Sequence, residues 1–174
     1  MYKIIRYCVF IFCIFSSNIA QSIEGVYYID MNVIMNNSFA GKSIINQLNK
    51  IDESNKNSFK KTEALLKKEE EKIISQKNIL EKNEFDQKVN LLKQKILKYK
   101  NERANMLNNF SSKKNDAQSS LTNKLTPIIA EYAKQNSISF ILTKQSIIIA
   151  KTDLDLTKTI IKILDEKLKT IKIK

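Results

Sequence analysis

The stretch 44–80, IINQLNKIDESNKNSFKKTEALLKKEEEKIISQKNIL, decides how this chain is built. One set of positions recurs at alternating steps of three and four: Ile44, Leu48, Ile51, Asn55, Phe59, Thr62, Leu66, Glu69, Ile73, Lys77 and Leu80. Such spacing lines one face of an α-helix with a heptad stripe in which several core positions are polar. A second interrupted stripe follows at Phe85, Val89, Leu92, Ile96, Tyr99, Arg103, Met106, Phe110, Lys113, Ala117, Leu121, Leu125, Ile128 and Tyr132. One rod of about ninety residues would carry the chain away from its own ends, whereas a hairpin brings it back. The sequence therefore predicts a helical hairpin over 43–136 with its tip near 78–83, where two Asn stand and no Gly or Pro. Asn83, followed by Glu84 and Phe85, reads as an N-cap with an acidic first turn. Arms of roughly 40 residues reach about 60 Å, far more than a small body needs, so they project. Polar residues in the stripes leave little apolar area per turn, which predicts arms that flex toward their tips.

Outward from the hairpin, composition supports the same architecture. With two Gly and one Pro in 174 residues, the chain lacks the punctuation that many short elements require. At 43% hydrophobic it still carries enough apolar residues to fold. Before the arms, Gly25–Met31 (GVYYIDM) reads as a strand, and a short helical turn is expected at 32–37. Ser38 is the candidate N-cap of the first arm. After the arms, Pro127 fits just inside a helix or at a kink. Ser137–Thr143 (SISFILT) and Ser146–Ala150 (SIIIA) read as a β-hairpin turning at Lys144-Gln145. Asp155 caps a last helix through Ile160, Ile161, Ile163, Leu164 and Leu168, with Lys167, Lys169, Lys172 and Lys174 at its C-terminus. The fold class is α+β, mostly α. Its β-rich body comprises 23–42 and 137–174, with about three strands, and carries the long projecting hairpin. Three short strands leave open sheet edges. Association of several subunits would cover them and bury Tyr28, Phe140, Ile147 and Ile149.

Residues 1–22 set the compartment. Lys3 and Arg6 precede an apolar run of eight, Cys8–Phe15, which gives way to Ser16-Ser17-Asn18. This is the layout of a cleavable secretory signal peptide, with cleavage after Ala20 or Ser22, and the run is too short to span a bilayer. Both cysteines, Cys8 and Cys13, lie inside it, so the mature chain is expected to hold no cysteine and no disulfide. Its net charge falls from +12 to +10 as Lys3 and Arg6 leave. The alternative is a retained anchor, which would make the chain a tethering coiled coil of the cell envelope.

The chain has no His, no phosphate-cradling glycine loop and no mature Cys, so no catalytic, metal or cofactor site is expected. Acidic pairs such as those in Glu69-Glu70-Glu71, or Asp153 with Asp155, sit among lysines or beside a cap and read as solvated. The remaining constellation is the arm, which from Lys42 to Lys124 holds 19 Lys plus Arg against 11 Asp plus Glu. Phe59, Phe85, Tyr99, Met106 and Phe110 interleave with Lys60, Lys67, Lys93 and Arg103. Such a mixture could stack on single-stranded nucleic acid, but export argues against that partner. On flexible arms it would grip non-native polypeptide diffusely, and these nine residues are the candidate contacts. A basic surface also attracts anionic phospholipid or lipopolysaccharide.

These residues also carry a resemblance. The opening VYYIDMNVIMNNSFAGKSIINQL, the mid-chain NEFDQKVNLLKQKI and the closing SFILTKQSIIIAKTDLDLTKTIIKIL resemble, in order and spacing, the Skp/OmpH family of periplasmic chaperones. The resemblance covers essentially the whole mature chain. It implies a homotrimer with a shared β-body and three helical hairpins around a cavity. It further implies an ATP-independent holdase for unfolded outer-membrane β-barrel proteins. It transfers no single residue's role, because clients are bound diffusely.

Overall fold

The computed structural model describes residues 25–173, so the signal-peptide reading lies outside the described residues. Strand β1 (Val26–Ile29) leads directly into helix α1 (Met31–Asn37). Asp30 caps that helix by accepting from the N–H groups of Asn32 and Val33 at 3.0 and 3.1 Å. The Val33 bond is the main reason its carboxyl titrates below the usual range. Burial opposes that shift, and the Lys144 ammonium, 3.2 Å away, assists it. Ser38, fully buried, ends α1 and begins helix α2 (Phe39–Ser75), with its hydroxyl accepting from the Gly41 N–H at 3.0 Å. This is the cap that the sequence predicts.

Helix α3 (Lys82–Gln135) returns antiparallel along α2 and carries Pro127 inside it. The turn between them spans 76–81, so the hairpin bends slightly earlier than expected. Asn83 lies within the first turn of α3 and is not its cap. Glu81 holds that position without a side-chain bond, and the Phe85 N–H bonds the Glu81 carbonyl at 3.0 Å.

Past α3 the chain closes the helix with Ser137 in the left-handed region (φ 52°). The Ile138 N–H bonds the Ala133 carbonyl at 2.9 Å, the signature of a Schellman cap with serine where glycine usually stands. This cap displaces the expected strand start. Strand β2 is only Phe140–Thr143, and it pairs with β1 in parallel, from Val26 opposite Phe140 to Ile29 opposite Thr143. The expected β-hairpin does not form. Lys144–Ser146 make a 3-10 turn, pinned by Lys144 to Asp30 and by a 3.0 Å contact between the Thr143 and Ser146 hydroxyls. Residues 147–150 then run on unpaired, so two strands form among the described residues and not three.

The Asp155-Leu156-Thr157 step locks the two ends of the chain together. Leu156 donates its N–H to the Tyr28 carbonyl at 2.9 Å, and the Thr157 hydroxyl accepts from the Asp30 N–H at 2.8 Å. Asp155 accepts from the Thr157 N–H at 2.8 Å, but it stands one residue before the N-cap position, which Leu156 holds without a side-chain bond, so the expected Asp155 cap does not form. Helix α4 (Thr157–Lys167) follows and stops earlier than the lysine-rich sequence suggests. Leu168 is already extended, and 169–173 fold back across the root of α2 as a strap.

One core joins these pieces: Ile29, Ile34, Ile44, Leu121, Leu125, Ile160 and Leu164 are all at most 4% exposed. Asp165 ties α4 to the arm root by accepting from the Phe39 N–H at 2.7 Å. Gln47 ties down the strap with both ends of its amide. Its Nε2 donates to the Ile171 carbonyl at 2.6 Å, and its Oε1 accepts from the Ile173 N–H at 3.1 Å. Gln47→Leu removes both bonds and leaves two backbone groups of the strap unmatched. It is expected to release the strap at a cost of about 1–3 kcal/mol, read as faster amide exchange at 171–173 with α2 and α3 still protected.

Candidate functional site

The hairpin offers the largest surface, and its seam follows the sequence stripes almost residue by residue. On α2, Ile44, Phe59 and Ile73 are buried, while Leu48, Ile51, Asn55, Thr62, Leu66 and Glu69 are half-buried. On α3 the stripe is likewise buried or half-buried from Phe85 to Tyr132, except Arg103. Lys77 is exposed; Gln76, where the turn begins, occupies the last seam position and accepts from Lys88 Nζ at 3.3 Å.

Polar groups meet across the seam at defined levels. Glu63 accepts from the Tyr99 hydroxyl at 2.6 Å and from Arg103 Nη1 at 3.2 Å. The Arg103 guanidinium lies 5.2 Å above the Phe59 ring, and Phe59 meets Tyr99 edge-on with centroids 6.5 Å apart. Burial, then the bond to Glu63, pushes the Tyr99 phenol above its ordinary pKa, so it remains a donor. One level outward, Lys95 bonds both Glu69 oxygens at 2.6 and 2.9 Å. Arg103 and Glu69 thus pair with Glu63 and Lys95, partners that periodicity alone did not match. These ties are solvent-exposed, and each is worth at most about 1 kcal/mol, so they set register more than they add rigidity.

The structure divides the nine candidate contact residues into two groups. Lys60, Lys67 and Lys93 face solvent, and Arg103, though exposed, is held across the seam by Glu63 and the Phe59 ring. Phe59 is buried in the seam, and Phe85, Tyr99, Met106 and Phe110 are half-buried there, so each holds the two arms against one another. The side chains left outside are aliphatic. Leu65, Ile74, Ile79, Leu91, Leu97 and Leu107 are between 49% and 80% exposed. Each is the sequence neighbour of a seam or tip residue: Leu65-Leu66, Ile73-Ile74, Ile79-Leu80, Leu91-Leu92, Ile96-Leu97 and Met106-Leu107. At 100° per residue, the second member of a doublet points about a quarter-turn out of the seam. The doublets are the signal in the sequence: one member of each belongs to the stripe, and the other is the side chain left outside.

Direction along antiparallel helices sorts these residues into flanks. Ile74, Leu97 and Leu107 follow their seam partners and share one flank; Leu65 and Leu91 precede theirs and share the opposite one. A groove of about 450 Å³ on the first flank runs between Leu66, Ile96, Tyr99 and Leu107, rimmed by Lys67 and Lys100. A second, of about 410 Å³, lies on the other flank beside Ile73 and Leu91, rimmed by Lys68, Lys72 and Lys88.

Of the four body residues, Tyr28 is already buried within the protomer, against the expectation that association would bury it. Its carbonyl accepts from the Leu156 N–H. Ile147 is half-buried, whereas Phe140 is 61% and Ile149 89% exposed, with Ile148 fully exposed beside it.

A small α+β body from which a long antiparallel helical hairpin extends, with a polar-laced seam and aliphatic residues outside, defines a class of arm-bearing proteins. The chain belongs to the OmpH-like family: the family described as outer membrane protein (OmpH-like) matches it over residues 25–164. No curated protein matches. Among solved structures, a candidate outer membrane chaperone (OmpH-like) from Caulobacter crescentus CB15 is similar at 17% identity with a TM-score of 0.78. The match covers 86% of this chain and 89% of that one. At that identity the likeness shows the shared fold, including the arms.

Proposed function

We propose that the chain is an ATP-independent periplasmic holdase that keeps unfolded outer-membrane proteins from aggregating between its arms. The observation that carries this reading is the row of exposed aliphatic side chains on basic arms whose seam is only partly apolar. Aliphatic side chains spaced along both arms give a non-native chain apolar contacts wherever it lies against them. The contacts are scattered and the rims charged, which suits weak, sequence-tolerant capture of a non-native chain that must later be released. Family membership and the likeness to a candidate outer membrane chaperone support the same reading.

The working form in this proposal is a homotrimer. Val26, Phe140, Leu142, Ile148 and Ile149 are exposed on and beside a two-stranded sheet whose β2 edge is open, β1 being covered on its other side by the Asp155-Leu156 step, which fits pairing of β2 with copies of itself. Three arms then enclose a cavity, and the flank of Ile74, Leu97 and Leu107 is the more apolar one to face it. Anionic phospholipid or lipopolysaccharide is attracted to the basic exterior. The test is sedimentation of the mature protein with an aggregation assay on an unfolded outer-membrane barrel lacking ATP. A trimer that suppresses aggregation is expected. A monomer without effect overturns the proposal, and mature protein held in the membrane with residues 1–22 intact favours an envelope tether.

Changing Phe140 and Ile149 together to Lys is expected to shift the trimer to monomer at micromolar concentration. Placing charges in a desolvated interface costs several kcal/mol per subunit. Analytical ultracentrifugation reads the shift, and circular dichroism should show the helical arms intact, since neither side chain belongs to the protomer's core.

A further inference from the structure

At the root of the arm, the strap that follows α4 leaves a cleft of about 740 Å³ against the first three turns of α2. Phe39 and Ile171 give it an apolar floor, and Lys42, Lys50, Lys169 and Lys172 stand around it. Five lysines elsewhere meet carboxylates, Lys56 with Asp52, Lys88 with Glu84, Lys95 with Glu69, Lys98 with Glu102 and Lys144 with Asp30, while others such as Lys60, Lys67 and Lys100 stand apart on open helix faces. Among the described residues, none of the four cleft lysines has a carboxylate partner. Asp165, whose Oδ1 accepts from the Phe39 N–H, is the one carboxylate at the same root among the described residues, and Gln47 spends both amide ends on the strap. Four cations against one carboxylate around a single concavity concentrate positive potential there more than on an open helix face. Gathering like charges is unfavourable unless an anion resides among them.

We propose that this cleft binds a phosphate-bearing ligand carrying two or more negative charges. Ammonium groups suit that chemistry because they act as mobile point charges and need no planar, bidentate match. Two lysines come from α2 and two from the strap, so a bound phosphate group bridges the elements that Gln47 clamps. The ligand therefore stabilises the strap on the arm root as well as occupying the cleft. The shared chemistry could arrive as a free phosphorylated solute or as a phospholipid headgroup. The site is separate from the arm flanks and stands whether or not the holdase reading does.

The test titrates the mature protein with inorganic pyrophosphate at fixed ionic strength, following heat and melting temperature. Saturable binding and a rise in melting temperature are expected. The K42Q/K50Q and K169Q/K172Q variants should each lose about tenfold or more in affinity. K60Q/K67Q, which removes the same charge from the arm, should bind as the parent does. Flotation with vesicles containing phosphatidic acid distinguishes the sources. Loss of flotation in the cleft variants alone identifies a headgroup site, and unchanged flotation beside lost pyrophosphate binding identifies a site for a free solute. Non-saturable binding, or equal loss in cleft and arm variants, overturns the proposal in favour of diffuse charge.

Discussion

Gly41→Ala is expected to destabilise the protein by about 2–3 kcal/mol, although alanine is ordinarily the better helix residue by about 1 kcal/mol. Gly41 is buried in the first turn of α2, where the last turn of α1 crosses it. A methyl group there would overlap the Met35 carbonyl oxygen and lie 2.7 and 2.8 Å from the Met35 C and Cα atoms. All three are backbone atoms, so no side chain can rotate away. Relief requires α1 and α2 to separate, but only Ser38 joins them, and its hydroxyl is bonded to the Gly41 N–H itself. Separation therefore also weakens a cap worth about 1 kcal/mol. Overpacking and the damaged cap together outweigh the propensity gain. For a chain of this size the melting temperature should fall by about 5–10 °C, compared at equal protein concentration. An unchanged or higher value would show that the two helices part easily.

The helical pattern was legible because it is local. Stripe positions at three-four spacing report which side of α2 and α3 faces inward, regardless of what lies on the other side. That is why even polar members such as Asn55, Thr62 and Glu69 are half-buried where periodicity places them. Ser38 was legible for a similar reason, since a cap bonds its own neighbours. Strand pairing is different. SISFILTKQSIIIA satisfies a hairpin pattern as well as any other, and nothing local says that its first strand pairs with Val26–Ile29 across the whole arm excursion. The deciding event is Ser137 entering the left-handed region in place of glycine, which shortens β2 from its N-terminal side. Likewise, lysines at the C-terminus read as partners of a helix dipole. Leu168 turns the chain out of α4, and Lys169 and Lys172 end up facing the root of α2 instead.

The aliphatic flank makes the sharpest demand on the proposed function. Changing Ile74, Leu97 and Leu107 together to Gln is expected to weaken holding of an unfolded outer-membrane barrel by about a hundredfold. Full burial of one such side chain is worth about 1.5–3 kcal/mol, and a mobile client covering part of each would forfeit about 1 kcal/mol per site. Because these side chains are exposed and Gln is a good helix former, the arms should keep their helicity and melting behaviour. Leu65→Gln with Leu91→Gln, on the opposite flank, should cost clearly less per residue if that flank faces outward. Phe59→Ala supplies the contrast. Phe59 sits under Arg103 and against Tyr99 in the seam, so its loss should loosen the outer arm, a truncation costing about 3 kcal/mol, while the exposed leucines remain. Amide exchange would rise from the Glu63 level outward, and client affinity would change little. Should Phe59→Ala abolish holding while the triple Gln variant holds as before, the client must enter the seam itself. The aromatic residues, and not the outer leucines, would then be its contacts.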